Sequence, residues 1–467
     1  MLGVICIAIG ADKGYWWIPI TRRRSALMRK WSLIAFALTT TSLGAQAAPP
    51  LASFDTAWSA IARTFYDTTL VQGRWAVTRD SLRNSLGDAP DLEQVRAAIR
   101  ALMAVPAQSH FALIPADAVP LPSELSRGGA PGTVGLDLRM IGDTLVVWRV
   151  EAGSAAARAG IQAGAIITHL DTQSVAGLSE RLAKAFPTDP KQAHGLIGQV
   201  AMSRVRRSTG DTAVLTLSDS RGTARTARPA RTVRLAHTPI AGTLTRWGNL
   251  PPIVVRVTHD SVRVGRGRRS AMIPVIHWSA WFPAISADLD RALFAARGAP
   301  GVILDLRGNP GGVVGMIGGV AGHFTDTVVS LGNMYGRGST LYLRTNPRRV
   351  DPTGTRRAVI TAPVAILLDG MSASASEFFA AGMQATGRAR VFGDPSAGQA
   401  LPAAMLRLPS GDVMMHPIAD HEDANGRRVE GVGVQPDTPA PLTRRALQAG
   451  GDPAMDAARA WLARTLY

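Results

Sequence analysis

Cysteine is all but missing from this chain: Cys6 is the only one in 467 residues. No disulfide can form within one copy, and zinc sites built on cysteine pairs are excluded. Lysine is nearly as scarce. Lysine and arginine together number 51, yet only Lys13, Lys30, Lys184 and Lys191 are lysines. Nothing C-terminal to Lys191 can therefore use a lysine amine as base or Schiff-base partner. There is no His-Glu-x-x-His segment, phosphate loop or dinucleotide fingerprint, so the sequence offers no metal site and calls for no cofactor. Long apolar runs are missing too. The stretch Trp31 to Leu43 is too short to cross a bilayer, which argues against stable membrane insertion.

Acidic residues number 34, leaving a formal net charge of +17. The arginines are scattered as singles and short pairs, with no basic stripe interleaved with aromatics, so nucleic acid is not an expected partner. Arginine-biased codon use accounts for the excess. A hydrophobic fraction of 46% with 18% charged residues is globular, and the length implies two or three domains.

From Met28 the chain reads as an export signal. Arg29 and Lys30 form a charged start, Trp31 to Leu43 an apolar centre, and Ala45-Gln46-Ala47 a small-x-small cleavage site. Residues 28–47 are thus expected to be a signal peptide, with 1–27 an over-extended start. Export to the periplasm or cell envelope, or beyond it, follows. Residues 48–118 are expected to form a helical domain, from the helix-period positions Phe54, Trp58, Ile61, Phe65, Leu92, Val95, Ile99 and Met103. Ser109-His110 near its end reads as a cap and brace. Residues 119–236 turn to short strands. Residues 237–467 alternate strand and helix, with apolar strands at Val302–Leu304, Val364–Leu368 and Val391-Phe392, a helix from about Ser374 to Thr386, and a closing helix from Asp452 to Leu466.

Segments of this sequence resemble known families. The stretch Gly132 to Gly177 is similar to a PDZ domain, with Gly135-Leu136 where such domains present backbone amides to a peptide's terminal carboxylate, and Ser154 to Gly160 as their short helix. Three later segments, Asp305-Leu306-Arg307-Gly308-Asn309-Pro310-Gly311-Gly312, Ser372-Ala373-Ser374-Ala375-Ser376-Glu377 and Glu430-Gly431-Val432-Gly433-Val434-Gln435-Pro436-Asp437, resemble the tail-specific protease and tricorn-core superfamily in order and spacing. The resemblance implies an α/β multidomain protein: helical N-terminal domain, PDZ-like β-rich domain, and a crotonase/ClpP-like catalytic domain. It implies a serine-type peptidase acting on peptides or proteins, with Ser374 as nucleophile and an oxyanion hole from Gly311 or Gly312 and Ala375.

One departure matters. Tail-specific proteases activate their serine with a lysine on a Gly-Lys-Gly turn, and here Gln399 stands in its place. The tricorn-core branch uses a histidine backed by a glutamate instead, which by resemblance points to His277 and Glu430, the latter acting directly or through a hydroxyl such as Ser279. His416 and His421 are rival bases, and His323 reads as part of the helix after the glycine turn. An inactive, peptide- or lipid-binding member of the superfamily is the competing reading.

Overall fold

The computed structural model describes residues 5–7, 50–116, 130–185, 190–218, 230–246, 252–351 and 353–467. The expected signal peptide lies outside these, as does all of the over-extended start except residues 5–7.

The first helices, Pro50–Thr64, Ala76–Leu86 and Leu92–Ala104, form because their apolar residues recur at helical spacing. Asp91 begins the third with a reciprocal capping box to Gln94. Phe54, Ile61, Phe65, Trp75, Ile99 and Leu102 bury together, each contributing about 1.5–3 kcal/mol by leaving water. Their cluster also holds Leu408 and Met414. Strand Ala112–Ile114 pairs antiparallel with Val413–Met415, and Arg96 forms a buried ion pair with Asp412 at 2.7 Å. The helical region therefore shares one core with a segment about 300 residues downstream, which brings its end against strand Val413–Pro417.

The PDZ-like sheet has six antiparallel strands: Leu136–Ile141, Thr144–Val150, Ile166–Leu170, Thr212–Ser218 and Arg231–Ala236 in that order, with the short strand Gln173–Ser174 also pairing to Ile166–Leu170. Helix Pro190–Val205 packs against its edge strand Leu136–Ile141.

The third layer system is a six-stranded sheet in the order Val257–Arg266, Arg269–Trp278, Val302–Asp305, Val364–Leu368, Arg390–Gly393, Thr438–Pro439. Its first pair is antiparallel and the rest parallel. Val302–Asp305 and Val364–Leu368 are buried throughout, as strands covered on both faces must be. Helix Ala375–Ala385 buries Phe378 and Phe379 in one core cluster, and helix Pro453–Leu466 buries Ala458 and Leu462 in another.

Charge locks the PDZ-like sheet to this domain. Arg139 meets Asp369 at 2.7 Å, Arg149 meets Asp305 at 3.1 Å, and Arg307 joins Asp305 at 2.8 Å to Asp452 at 2.6 Å. The Trp148 ring lies beneath the guanidinium groups of Arg139 and Arg149, 4.2 and 3.8 Å from their carbons.

Beside the main sheet, Gly311–Val313 pairs in parallel with Ile5–Ile7, and Ile7 pairs in parallel with Ala403. The start of the chain thus fills a slot one strand wide, between the glycine turn and strand Ala403–Arg407.

Candidate active site

The strand Val364–Leu368 ends in a tight turn whose residues are each held differently. Ser372 Oγ donates to the Leu306 carbonyl at 2.9 Å, and Ser376 Oγ donates to the Asn309 carbonyl at 3.1 Å. Both hydroxyls are therefore engaged in joining this turn to the glycine turn. Ser374 Oγ is buried and has no hydrogen-bond partner. Its backbone sits at φ 56° and ψ −119°, a conformation non-glycine residues rarely adopt, and one that persists only when its surroundings enforce it. The enforcement is visible: the Ser374 amide faces the Glu377 carboxylate at 2.8 Å and the Gln399 carbonyl at 2.9 Å.

Ala375 opens the following helix, so its N–H has no carbonyl one turn earlier to bond and carries the positive end of the helix dipole. Gly311 faces it. A Cβ at position 311 would lie 2.6 Å from Ser374 Cβ and 2.9 Å from Ala375 N, so the close approach requires glycine. The Gly311 amide is not free for a substrate, because it donates to Asn309 Oδ1 at 3.0 Å. Gly312 is placed differently. Trp281 N donates to Gly311 O and Val313 N donates to Trp281 O, so in this extended stretch the Gly312 amide is directed to the opposite edge. That edge is the slot where Cys6 pairs with Gly312.

Glu430 is buried in the loop after strand Ala419–Asp423. Its carboxylate accepts from Ala400 N at 2.7 Å, from Ser109 N at 2.9 Å and from Ser109 Oγ at 2.9 Å. Ser109 Oγ in turn lies 2.7 Å from His110 Nδ1. A hydroxyl has one proton, and this one is given to Glu430, so His110 Nδ1 must be the donor to Ser109. That fixes the tautomer, with the lone pair on Nε2. His110 Nε2 is buried and unpartnered, and burial pushes the ring's pKa down to about 3, keeping it neutral.

The remaining candidates are arranged otherwise. His277 stands on strand Arg269–Trp278 opposite Asp305, and its Nδ1 is bonded to the Asp305 backbone carbonyl at 2.7 Å. Burial lowers its pKa, against the pull of Asp305. The expected partner Ser279 caps Arg256 N at 3.0 Å, so the relay drawn from His277 through Ser279 to Glu430 is corrected: the hydroxyl on Glu430 belongs to Ser109. His416 Nε2 meets Thr64 Oγ1 at 2.7 Å. His421 lies against Phe378 with ring centres 4.0 Å apart and planes tilted by 36°, and neither nitrogen has a partner. His323 lies just past the helix Ile317–Ala321 and meets Asp290 at 2.9 Å.

The reading of Ser109-His110 as a brace missed its placement. The only local hint was a hydroxyl beside an imidazole. Glu430, 321 positions away, is what gives the pair meaning. Among the described residues no cluster of histidine, cysteine or carboxylate groups could hold a metal ion.

In the PDZ-like sheet, one of the two amides expected to receive a carboxylate, that of Gly135, is bonded within the chain. Gly135 N donates to Thr133 Oγ1 at 3.0 Å and Val134 N to the Val205 carbonyl at 3.1 Å. Leu136 is buried, and Leu138 N faces Met202 Sδ of the covering helix at 3.2 Å.

Comparison with known proteins adds to this geometry. Residues 272–440 match the family model of peptidase family S41, and residues 123–199 match that of the PDZ domain. The chain is 26% identical over 213 residues to a carboxy-terminal-processing protease of Bartonella bacilliformis, covering 43% of this chain and 47% of that one. It is 25% identical over 245 residues to a carboxyl-terminal-processing protease of a Picosynechococcus species, covering 52% and 51%. The chain thus spans about half the length of the curated relatives it matches. Among solved structures, the photosystem II D1 C-terminal processing protease shares the fold with a TM-score of 0.55 at 19% identity, over 89% of this chain and 97% of that one. Mature CPAF does so with a TM-score of 0.59 at 12% identity, over 89% and 98%.

Proposed function

Starting from a chain that carries a peptidase domain of family S41 behind a PDZ domain, we propose that it is an exported serine peptidase with Ser374 as nucleophile and His110 as base. One observation carries this reading. Among the described histidines, only His110 is oriented by a carboxylate through a hydroxyl while its other nitrogen stays free. The nucleophile turn and this relay meet in two consecutive residues: Gln399 O takes the Ser374 amide, and Ala400 N reaches Glu430.

The chemistry is acyl transfer. Ser374 Oγ attacks the scissile carbonyl carbon and its proton passes to His110 Nε2. The imidazolium so formed is stabilised by Glu430 through Ser109, and it returns the proton to the departing amine. Ala375 and Gly312 amides hold the oxyanion, each such donor contributing about 10²–10³-fold in rate. Water then attacks the acyl-enzyme with the same histidine as base. The substrate enters as an extended strand where Ile5–Ile7 now lie, between Gly311–Val313 and Ala403. Capture of a carboxyl terminus at Gly135 and Leu136 requires the bond from Gly135 N to Thr133 Oγ1 to open. Export to the periplasm or envelope fits the sequence signal; among the described residues no helix is long and apolar enough to cross a membrane.

The test is labelling of the folded protein with a fluorophosphonate, which needs an activated serine but no knowledge of the substrate. Labelling above a heat-denatured control supports the peptidase. Its absence favours the inactive, ligand-binding reading that Gln399 raises.

Gln399→Lys is expected to change the rate by less than about threefold. A lysine at 399 has two buried carboxylates close by, Glu377 at its own amide and Glu430 at the next. Their charge favours the ammonium form, which cannot accept a proton. A gain of tenfold or more in peptide hydrolysis would instead assign the site to the lysine-dependent branch.

A further inference from the structure

We infer that Glu377 is a positioning residue of the catalytic site, whose ionised carboxylate holds the nucleophile turn and the 396–400 segment in register with the histidine relay. The inference rests on the peptidase reading above. Glu377 is fully buried, and four donors converge on it. Oε1 accepts from Gly398 N at 2.7 Å and Ser396 Oγ at 2.6 Å, while Oε2 accepts from Ser374 N at 2.8 Å and Gln399 N at 3.0 Å. Ser396 Oγ itself accepts from Val434 N at 2.6 Å, so its single proton points at Glu377. All four partners therefore donate, and only a carboxylate can accept from all of them.

The consequence is a splint built from two buried acids. Glu377 holds the amide of Gln399 and Glu430 holds that of Ala400. The peptide between them ties Ser374, on one side, to Ser109 and His110 on the other. The main chain at position 399 thus performs a task that does not depend on its side chain, which is how a glutamine is accommodated there. The bond from Ser374 N to Glu377, with that amide's second bond to the Gln399 carbonyl, explains how Ser374 is kept at φ 56° against its intrinsic preference.

Protonation undoes this arrangement, because a carboxylic acid must donate through one oxygen and one of the four donors then loses its acceptor. Burial raises the Glu377 pKa to about 7, with Glu430 adding to the rise and the bonds from Ser396, Ser374 and Gly398 opposing it. The His421 ring, tilted against the adjacent Phe378, is held neutral by burial, its pKa pushed down to about 3. Activity should therefore fall on acidification through about pH 7, although His110 stays neutral far below that. Acidification through this range does not weaken the fold at Glu377. Its native pKa lies above its unfolded value, so the native state binds the proton more readily between pH 7 and about 4.5.

The experiment measures the fluorophosphonate labelling rate from pH 5 to 9 for the wild-type chain and for Glu377→Gln, with near-ultraviolet circular dichroism at each pH. The wild type is expected to lose labelling below about pH 7 with its dichroism unchanged. Glu377→Gln is expected to label about 10–100-fold more slowly, since small misplacements of reacting groups cost about that much, and to show no acid limb near 7. KM for a peptide substrate should stay within about threefold while kcat falls. A variant that keeps the wild-type rate, or the wild-type acid limb, overturns the inference. If Glu377→Gln does not fold, the wild-type profile decides: a labelling rate flat from pH 8 to 5 overturns it. No labelling of the wild type at any pH would sink the peptidase reading itself, a different outcome.

Discussion

Replacing Ser374 with alanine is expected to abolish fluorophosphonate labelling and peptide hydrolysis, a loss of about 10⁴-fold or more in rate. The three serines of the block differ in what their hydroxyls touch. Those of Ser372 and Ser376 bond the carbonyls of Leu306 and Asn309, and Ser376 also accepts from Trp281 Nε1 at 2.9 Å. Removing either leaves buried partners unsatisfied, at about 1–3 kcal/mol of stability, yet Ser374 remains in place to react. Ser372→Ala and Ser376→Ala should therefore melt at lower temperature and still label. Ser374 Oγ, unpartnered, should be nearly neutral to stability when lost. A chain silenced by Ser376→Ala, with Ser374→Ala still labelling, would place the nucleophile two residues later.

The second large effect separates two histidines. His110→Ala should lower kcat by about 10³–10⁴-fold, the scale set by loss of a general base paired with a serine. His277→Ala should lower it less than about tenfold, because its ring is engaged with the Asp305 carbonyl at the junction of two strands. Ser109→Ala should fall between, since it breaks the link to Glu430 while leaving the imidazole present. The readout is kcat on a peptide substrate alongside the labelling rate, both at pH 8, where Glu377 is ionised. If His277→Ala is the silent variant and His110→Ala is not, the relay described here is structural and the base lies on the strand.

The chemistry of the turns was legible in the residues themselves. A serine between a buried apolar strand and a helix, and consecutive glycines before another helix, are local arrangements whose function depends on neighbours within a few positions. Their backbone requirements are written into residue type: only glycine fits at 311, beside Ser374 Cβ. The absence of any lysine after Lys191 likewise removed one mechanism without reference to structure. Strand and helix periods marked the sheet and the helices that cover it, because burial on one or both faces imprints a period on the sequence.

The proposed base could not be found that way. The choice among His110, His277, His416 and His421 depends on which imidazole has a carboxylate behind it and a free nitrogen in front, and both are properties of contacts between distant segments. Ser109 and Glu430 meet only because the N-terminal helices share a core with residues 408 and 414 and their last strand joins that of residues 413–415. The PDZ-like turn shows the same limit, since glycine at 135 permits a carboxylate-binding turn but only the fold shows the neighbouring Val134 amide bonded to the Val205 carbonyl at the end of helix Pro190–Val205. The sequence alone marked the serine turn, the adjacent glycines and the exclusion of lysine, all set by short-range geometry. Only the tertiary structure showed which imidazole has a carboxylate behind it through a hydroxyl, because hydrogen-bond partners hundreds of residues apart leave no periodic or local trace.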